Sequence, residues 1–256
     1  MADSEALPSI QTRKWTARDL EGLDVRSLTR APVLGQDDIH RVSPQLDVWD
    51  AWPLADAAGQ PAEWRGGELW FALAAPAFAD PEERHAHARI HTFHRTGGRF
   101  DHLGQTFAEG FTPGSREWSG AACLDGSRVS LYFTAAGFRG ESPQTYAQRL
   151  FVSKADLSAD QDDPFENWSQ PRELLQAGGP YMRADQREGR SGEIKAFRDP
   201  CPWRDEDGTS FVLFTASAAA SAGRSSPCAT TTWGFRRSAC RRCAPSWPGC
   251  CWPKGR

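Results

Sequence analysis

Short apolar runs at short intervals, punctuated by glycine, constrain this chain most. From residue 47 onward the candidate strands are 47–52, 68–73, 89–94, 129–134, 149–153 and 211–215. Ala58-Gly59, Thr96-Gly97-Gly98, Asp125-Gly126 and Asp207-Gly208 supply turns between them. Many short strands with little helical periodicity between them predict an all-β domain. Closure into a propeller or a barrel removes exposed strand edges. No clean internal repeat is visible, so the pattern alone does not choose between those closures. Two stretches read as helical instead. Thr16 with Asp19, Leu20, Leu23 and Leu28 suggests a short capped helix, weakened by Gly22. Residues 171–176 suit one or two helical turns stopped by Gly178.

The run Leu46-Asp47-Val48-Trp49-Asp50-Ala51-Trp52-Pro53-Leu54 places an acid between two tryptophans. Strand alternation sets Val48, Asp50 and Trp52 on one face, with Trp49 and Ala51 on the other. A carboxylate beside indole surface suits a sugar: the rings offer flat apolar area and the acid offers oxygen. The same residues also suit a plain strand end, with Asp50 starting a turn before Pro53.

Composition narrows the function classes. A formal net charge of −3 argues against a general nucleic-acid binder. No run of eighteen apolar residues is present, which argues against a membrane-spanning helix. The first ten residues are polar and acidic and lack the basic and apolar regions of a conventional signal peptide. Eleven tryptophans against three tyrosines fit carbohydrate stacking, and they also fit an ordinary core.

Two later stretches add to the first. Arg116-Glu117-Trp118-Ser119-Gly120 and Phe197-Arg198-Asp199-Pro200 follow it in order. Together with Ala88-Arg89-Ile90, Thr96-Gly97-Gly98 and Phe165-Glu166-Asn167-Trp168 they make residues 16–216 resemble glycoside hydrolase family 68, the levansucrases and inulosucrases. That resemblance implies a five-bladed β-propeller, here carrying about three blades. It implies fructosyl transfer from sucrose to a growing fructan or to water, by a retaining double displacement. It makes Asp50 the nucleophile and Asp199 the carboxylate that stabilises the transition state. Trp49 and Trp118 become pocket walls, Ser119 a hydrogen-bond donor to the nucleophile, and Arg198 a fixed positive charge beside Asp199. Sucrose and fructan are the implied partners, with no cofactor, nucleic acid or membrane. Oligomeric state stays open. Some family members leave Gram-negative cells without a conventional leader, so an extracellular place of work is expected, with the cytoplasm as the alternative.

The chain departs from the family in one respect. The family's general acid/base is the glutamate of a Glu-Arg-Pro triplet, and these 256 residues contain no such triplet. The departure coincides with a change of text. Residues 223–256 hold Cys228, Cys240, Cys243, Cys250 and Cys251, many basic residues and no acid. The expected organisation is an arm over 1–45, a partial propeller over 46–216 and an aberrant tail over 217–256, with little strand in the tail. A truncated or frame-shifted product with impaired activity accounts for this pattern. A zinc module built on Cys240, Cys243, Cys250 and Cys251 competes with that reading, but the second pair lacks the usual spacing. No metal is expected at His85, His87, His91 and His94 either, because His91 and His94 fall on opposite faces of one strand. A non-catalytic sugar-binding protein and a related sucrose or fructan hydrolase remain as alternatives.

Overall fold

A computed structural model describes residues 16–22, 24, 27, 29, 31–39, 41–183, 195–204 and 209–217, and the backbone of 231–237. The chain divides into two units, Met1–His40 and Arg41–Arg256. In the first, the described residues form short 3₁₀ turns at Ala17–Leu20 and Gln36–Asp38. The helix expected from Thr16 is a single turn there, and several of its later residues lie outside the described set.

The second unit is built from three antiparallel meanders. The first contains β1 (Leu46–Ala55), β2 (Glu63–Trp64), β3 (Gly67–Pro76), β4 (Arg89–Thr96) and β5 (Arg99–Gln105). Its order is β1-β3-β4-β5, with β2 on β3. A 3₁₀ turn at Pro81–Ala86 joins β3 to β4. The two-residue turn from β4 to β5 is Gly97-Gly98, with φ of 58° and 83°. Two consecutive left-handed residues match the right-handed twist of the flanking strands, and glycine takes that conformation without a Cβ clash.

The second meander contains β6 (Arg116–Asp125), β7 (Arg128–Ala136), β8 (Gln148–Leu157), β9 (Phe165–Glu166) and β10 (Arg172–Gln176). It runs β6-β7-β8-β10. The third contains β11 (Phe197–Arg204), β12 (Ser210–Ser217) and β13 (Thr231–Arg237). The leading strands β1 and β6 meet in parallel at Leu54–Ala122 and Ala55–Cys123, and β11 packs beside β6. Each meander is therefore a blade with its first strand innermost. The described residues build three blades of a β-propeller.

The blades are held together by apolar side chains. Leu54, Leu69, Phe71, Ile90, Phe107, Leu131, Phe133, Phe151 and Phe165 form one buried cluster that spans blades one and two. A second cluster, Leu150, Phe197, Phe214 and Ala216, fastens blade three to β8. Tyr181 completes it, with ring centroids 5.3 Å from Phe214 and 5.8 Å from Phe197.

Three expectations change. Residues 171–176 are strand β10 rather than helix, because Leu174 and Leu175 pack against the second cluster while the backbone pairs with β8. Strand β11 carries Pro200 and Pro202, which concealed it in the sequence. The tail contains strand: Thr231–Arg237 pairs antiparallel with β12 from Phe211 to Ser217. Its Thr-Thr-Trp-Gly-Phe text is rich in β-forming residues. The remaining expectations for the tail, its cysteines included, lie outside the described residues.

Candidate active site

All three innermost strands are interrupted at the same place. In β1, Trp49 and Trp52 face Leu73 and Phe71 of β3. In β6, Trp118 and Ala121 face Thr134 and Tyr132 of β7. In β11, Arg198 and Cys201 face Thr215 and Leu213 of β12. Each is a β-bulge that inserts one extra residue into the inner strand. Superposing the bulges aligns Trp49-Asp50-Ala51 with Trp118-Ser119-Gly120 and with Arg198-Asp199-Pro200. The second residue of each triplet is Asp50, Ser119 or Asp199, all of them expected in the site from the sequence.

The bulges determine where these side chains go. Asp50 and Asp199 have φ of 49° and 60°, a left-handed conformation unusual for residues with a Cβ. Such a conformation costs roughly 1–3 kcal/mol and collects at sites where a side chain must be re-aimed. In blade two neither Ser119 nor Gly120 takes a positive φ, and the bulge instead brings Gly120 close to the neighbouring strand. A Cβ there would stand 1.9 Å from the carbonyl oxygen of Tyr132. The bulge also corrects the expected alternation of β1. The extra residue shifts the phase, so Trp49 and Trp52 both pack against the first apolar cluster, with Trp52 stacked on Phe71 at 6.1 Å. Asp50 and Ala51 are the two exposed residues between them.

The three bulges converge. Ser119 Oγ donates to Asp50 Oδ2 at 2.9 Å. Arg198 Nε lies 3.6 Å from Asp199 Oδ2. Loss of hydration pushes the Asp199 carboxyl up to about 6, the Arg198 guanidinium opposes that rise, and the negative charge of Asp50 adds to it. The two carboxylates are thus near enough to repel. Asp199 is still 42% accessible, so its site is an open recess rather than a sealed cavity.

Aromatic rings and guanidinium groups surround the acids. The Trp118 ring lies within 5.9 Å of the Arg198 guanidinium and 5.8 Å of the Arg116 guanidinium, both within cation–π range. Trp49 has the Arg84 guanidinium 5.1 Å from its ring and the edge of His85 at 5.8 Å. Arg84 and His85 belong to the 3₁₀ turn between β3 and β4. Of these two, only His85 is singled out in the sequence, among histidines where no metal is expected. Glu117 is buried and turned away from the recess, accepting from Ile90 N at 2.9 Å and Thr112 Oγ1 at 2.8 Å.

Among the described residues, no group of three or more His, Cys, Asp or Glu side chains could hold a metal ion. His91 and His94 do diverge: His91 Nδ1 contacts His102 Nε2 at 2.8 Å, and His94 Nε2 contacts the Trp64 carbonyl at 3.0 Å.

The sequence profile of the Levansucrase/Invertase family matches residues 5–242. An extracellular sucrase from Zymomonas mobilis is 29% identical over 213 residues, covering 80% of this chain and 50% of that protein. A levansucrase from Erwinia amylovora is 29% identical over 202 residues, covering 71% of this chain and 46% of that protein. The chain spans about half the length of the curated relatives it matches. Among solved structures, an inulosucrase from Halalkalicoccus jeotgali bound to kestose superposes with a TM-score of 0.69 at 32% identity, covering 81% of this chain and 53% of that one.

Proposed function

This chain belongs to the Levansucrase/Invertase family, glycoside hydrolase family 68, and from that premise we propose that its three-bulge recess is a fructosyl-transfer site. The observation that carries the proposal is the pair Asp50 and Asp199. Each is re-aimed by a bulge with left-handed backbone, and Asp199 feels the charge of Asp50. A carboxylate nucleophile with a second acid beside it to hold sugar hydroxyls, both among indole rings, suits a fructosyl pocket; the acid/base partner of the retaining scheme is a third group.

The roles follow from the surroundings. Asp50 is the nucleophile, oriented by the Ser119 hydroxyl. One of its oxygens bonds to the anomeric carbon of the fructosyl group while the bond to the departing glucose oxygen breaks. Asp199 accepts hydrogen bonds from fructosyl hydroxyls, which gather strength as the ring becomes electron-poor. Arg198 adds a fixed positive charge and donors at the rim. Trp49 and Trp118 wall the sugar. A water or fructan hydroxyl then attacks the anomeric carbon as the bond to Asp50 breaks, its proton passing to solvent where no glutamate base is present, so this second step is slow in the chain by itself; sucrose and fructan are the partners. The Zymomonas mobilis relative is named for work outside the cell, which supports an extracellular setting for this chain.

The glucose oxygen must be protonated as it leaves, a contribution of typically about 10²–10⁴-fold in rate. These 256 residues contain no Glu-Arg-Pro triplet, so slow reaction with sucrose is the outcome expected of them by themselves. A donor whose leaving group needs no proton removes that demand. With β-fructofuranosyl fluoride, the carbon–fluorine pair departs with fluoride as the Asp50 bond forms. The experiment compares fluoride release from that donor with glucose release from sucrose, in the purified chain and in Asp50→Asn. Fluoride release that depends on Asp50, with little glucose from sucrose, is the expected outcome. Equal release by Asp50→Asn sinks the assignment of the nucleophile. Rapid release of glucose from sucrose sinks the account of the missing acid.

A further inference from the structure

The three bulges are not independent, and one buried side chain links two of them. Thr134 lies in the middle of β7 and is wholly inaccessible to solvent. Its Oγ1 accepts from the backbone N–H of Asp199 at 3.0 Å. The same hydroxyl donates to the carbonyl of Ser119 at 3.3 Å. Ser119 in turn donates through its side chain to Asp50. A single hydroxyl therefore connects the bulge of blade three to the bulge of blade two, and through Ser119 to the carboxylate of blade one.

The bulges explain why this hydroxyl finds partners. Inserting a residue breaks the backbone ladder locally and leaves peptide groups without their strand partner. The Asp199 N–H and the Ser119 carbonyl are groups of this kind, and an unmade bond to a buried peptide group costs stability. Gln148 of β8 provides a second anchor one turn of the pleat earlier, accepting from Phe197 N at 3.0 Å. The N–H groups of residues 197 and 199 are both held by side chains of blade two.

The blade itself does not require a hydroxyl here. The residue facing the bulge is Leu73 in blade one, where it faces Trp49, and Thr134 in blade two, where it faces Trp118. Leu73 is 3% exposed and packs in the core. Blade three has Thr215 at the same position, facing Arg198; a purely apolar side chain thus serves in one blade, and what distinguishes Thr134 is that its hydroxyl is bonded to the Asp199 N–H.

We infer that Thr134 is a positioning residue, whose hydroxyl sets the Asp199 carboxylate against the Asp50–Ser119 pair. The inference rests on the fructosyl-site reading and names a part of that site which touches no substrate. A misplacement of about 1 Å at a reacting centre can cost on the order of 10²-fold in rate.

The test measures fluoride release from β-fructofuranosyl fluoride by the purified chain, by Thr134→Val, Thr134→Ser and Thr134→Ala, and by Asp50→Asn. Valine keeps the shape and removes the hydroxyl; serine restores it. The expected result is a fall of about 10²-fold in the rate of the first-turnover fluoride burst at saturating donor for Thr134→Val, a smaller change in the half-saturating concentration, and recovery of most of the burst rate in Thr134→Ser. Circular dichroism and the melting midpoint of each variant accompany the rates, because a merely structural role would lower stability without the serine rescue at matched folding. A folded Thr134→Val with the parent rate overturns the inference and leaves the fructosyl reading intact. If Thr134→Val fails to fold, Thr134→Ala takes its place. Failure of both while Thr134→Ser folds makes the hydroxyl a folding requirement and overturns positioning. No Asp50-dependent release from the parent chain overturns the fructosyl reading, and this inference with it.

Discussion

At the scale of single residues, Asp199 is the group whose environment departs most informatively from that of a free side chain. Its carboxyl is raised to about 6 by lost hydration and by Asp50, against the opposing pull of Arg198. The native state therefore holds a proton on Asp199 between about pH 4 and pH 6 that the unfolded chain has released. Where the native state binds more protons, stability falls as pH rises. Asp199→Asn is expected to melt at a higher temperature than the parent at pH 7, with the difference shrinking towards pH 4. Scanning calorimetry across that window checks it, and a lower midpoint at pH 7 would contradict the burial and repulsion described above. The same titration governs chemistry. In its proposed role an ionised Asp199 accepts from sugar hydroxyls, so fluoride release should rise with pH with an apparent midpoint near 6. In Asp50→Asn the Asp199 midpoint should drop, because a repelling charge is gone. A carbon-detected carboxyl titration reads that directly. Asp50, Ser119 and Asp199 were singled out through the resemblance that their three stretches carry together rather than from any one stretch, and all three sit on the bulges of the inner strands. Thr134 and Gln148 were not legible in the sequence, since their partners lie 65 and 49 residues away across a blade boundary.

At the scale of elements, the bulge is the unit that converts strand text into a site. Period-two reasoning found β1 but placed Trp49 and Trp52 on opposite faces, because an inserted residue leaves no mark on apolar alternation. It also missed that three inner strands carry the same one-residue insertion, since the insertion recurs and the residue types do not. Residues 171–176 went wrong for a related reason: the partner edge on β8 decides their conformation, and that edge is distant in sequence. Gly120 is the most exposed point of failure of the bulge in blade two. Gly120→Ala drives a Cβ into the Tyr132 carbonyl, with an expected loss of roughly 1–3 kcal/mol, typical of overpacking. Denaturant titration measures that loss. Fluoride release should fall further than stability does, because Ser119 moves with its neighbour. A neutral Gly120→Ala would mean that the bulge relaxes without consequence.

At the scale of the whole molecule, the site exists only while three blades stay in register. All-β architecture and many of the strands were readable from spacing and glycine turns, and the propeller closure came from resemblance rather than periodicity. Blade three depends on a small aromatic cluster: Phe197 and Phe214 are fully buried with centroids 5.2 Å apart. Phe197→Ala is expected to cost about 3–5 kcal/mol and to release β11 with Asp199 on it. The purified variant should lose fluoride release and protection of β11 and β12 amides together, while β3, β4 and β7 stay protected in hydrogen exchange. Loss of protection everywhere would mean that the blades do not open separately. The central claim is that Asp50, held by Ser119 and opposed by Asp199, is the carboxylate that bonds to a fructosyl group. Rapid quenching of the chain with β-fructofuranosyl fluoride, followed by proteolysis and mass spectrometry of the peptides, tests it most directly. A single hexosyl adduct on the peptide bearing Asp50, absent from Asp50→Asn, is the predicted result; an adduct on any other residue, or one that survives Asp50→Asn, would contradict it.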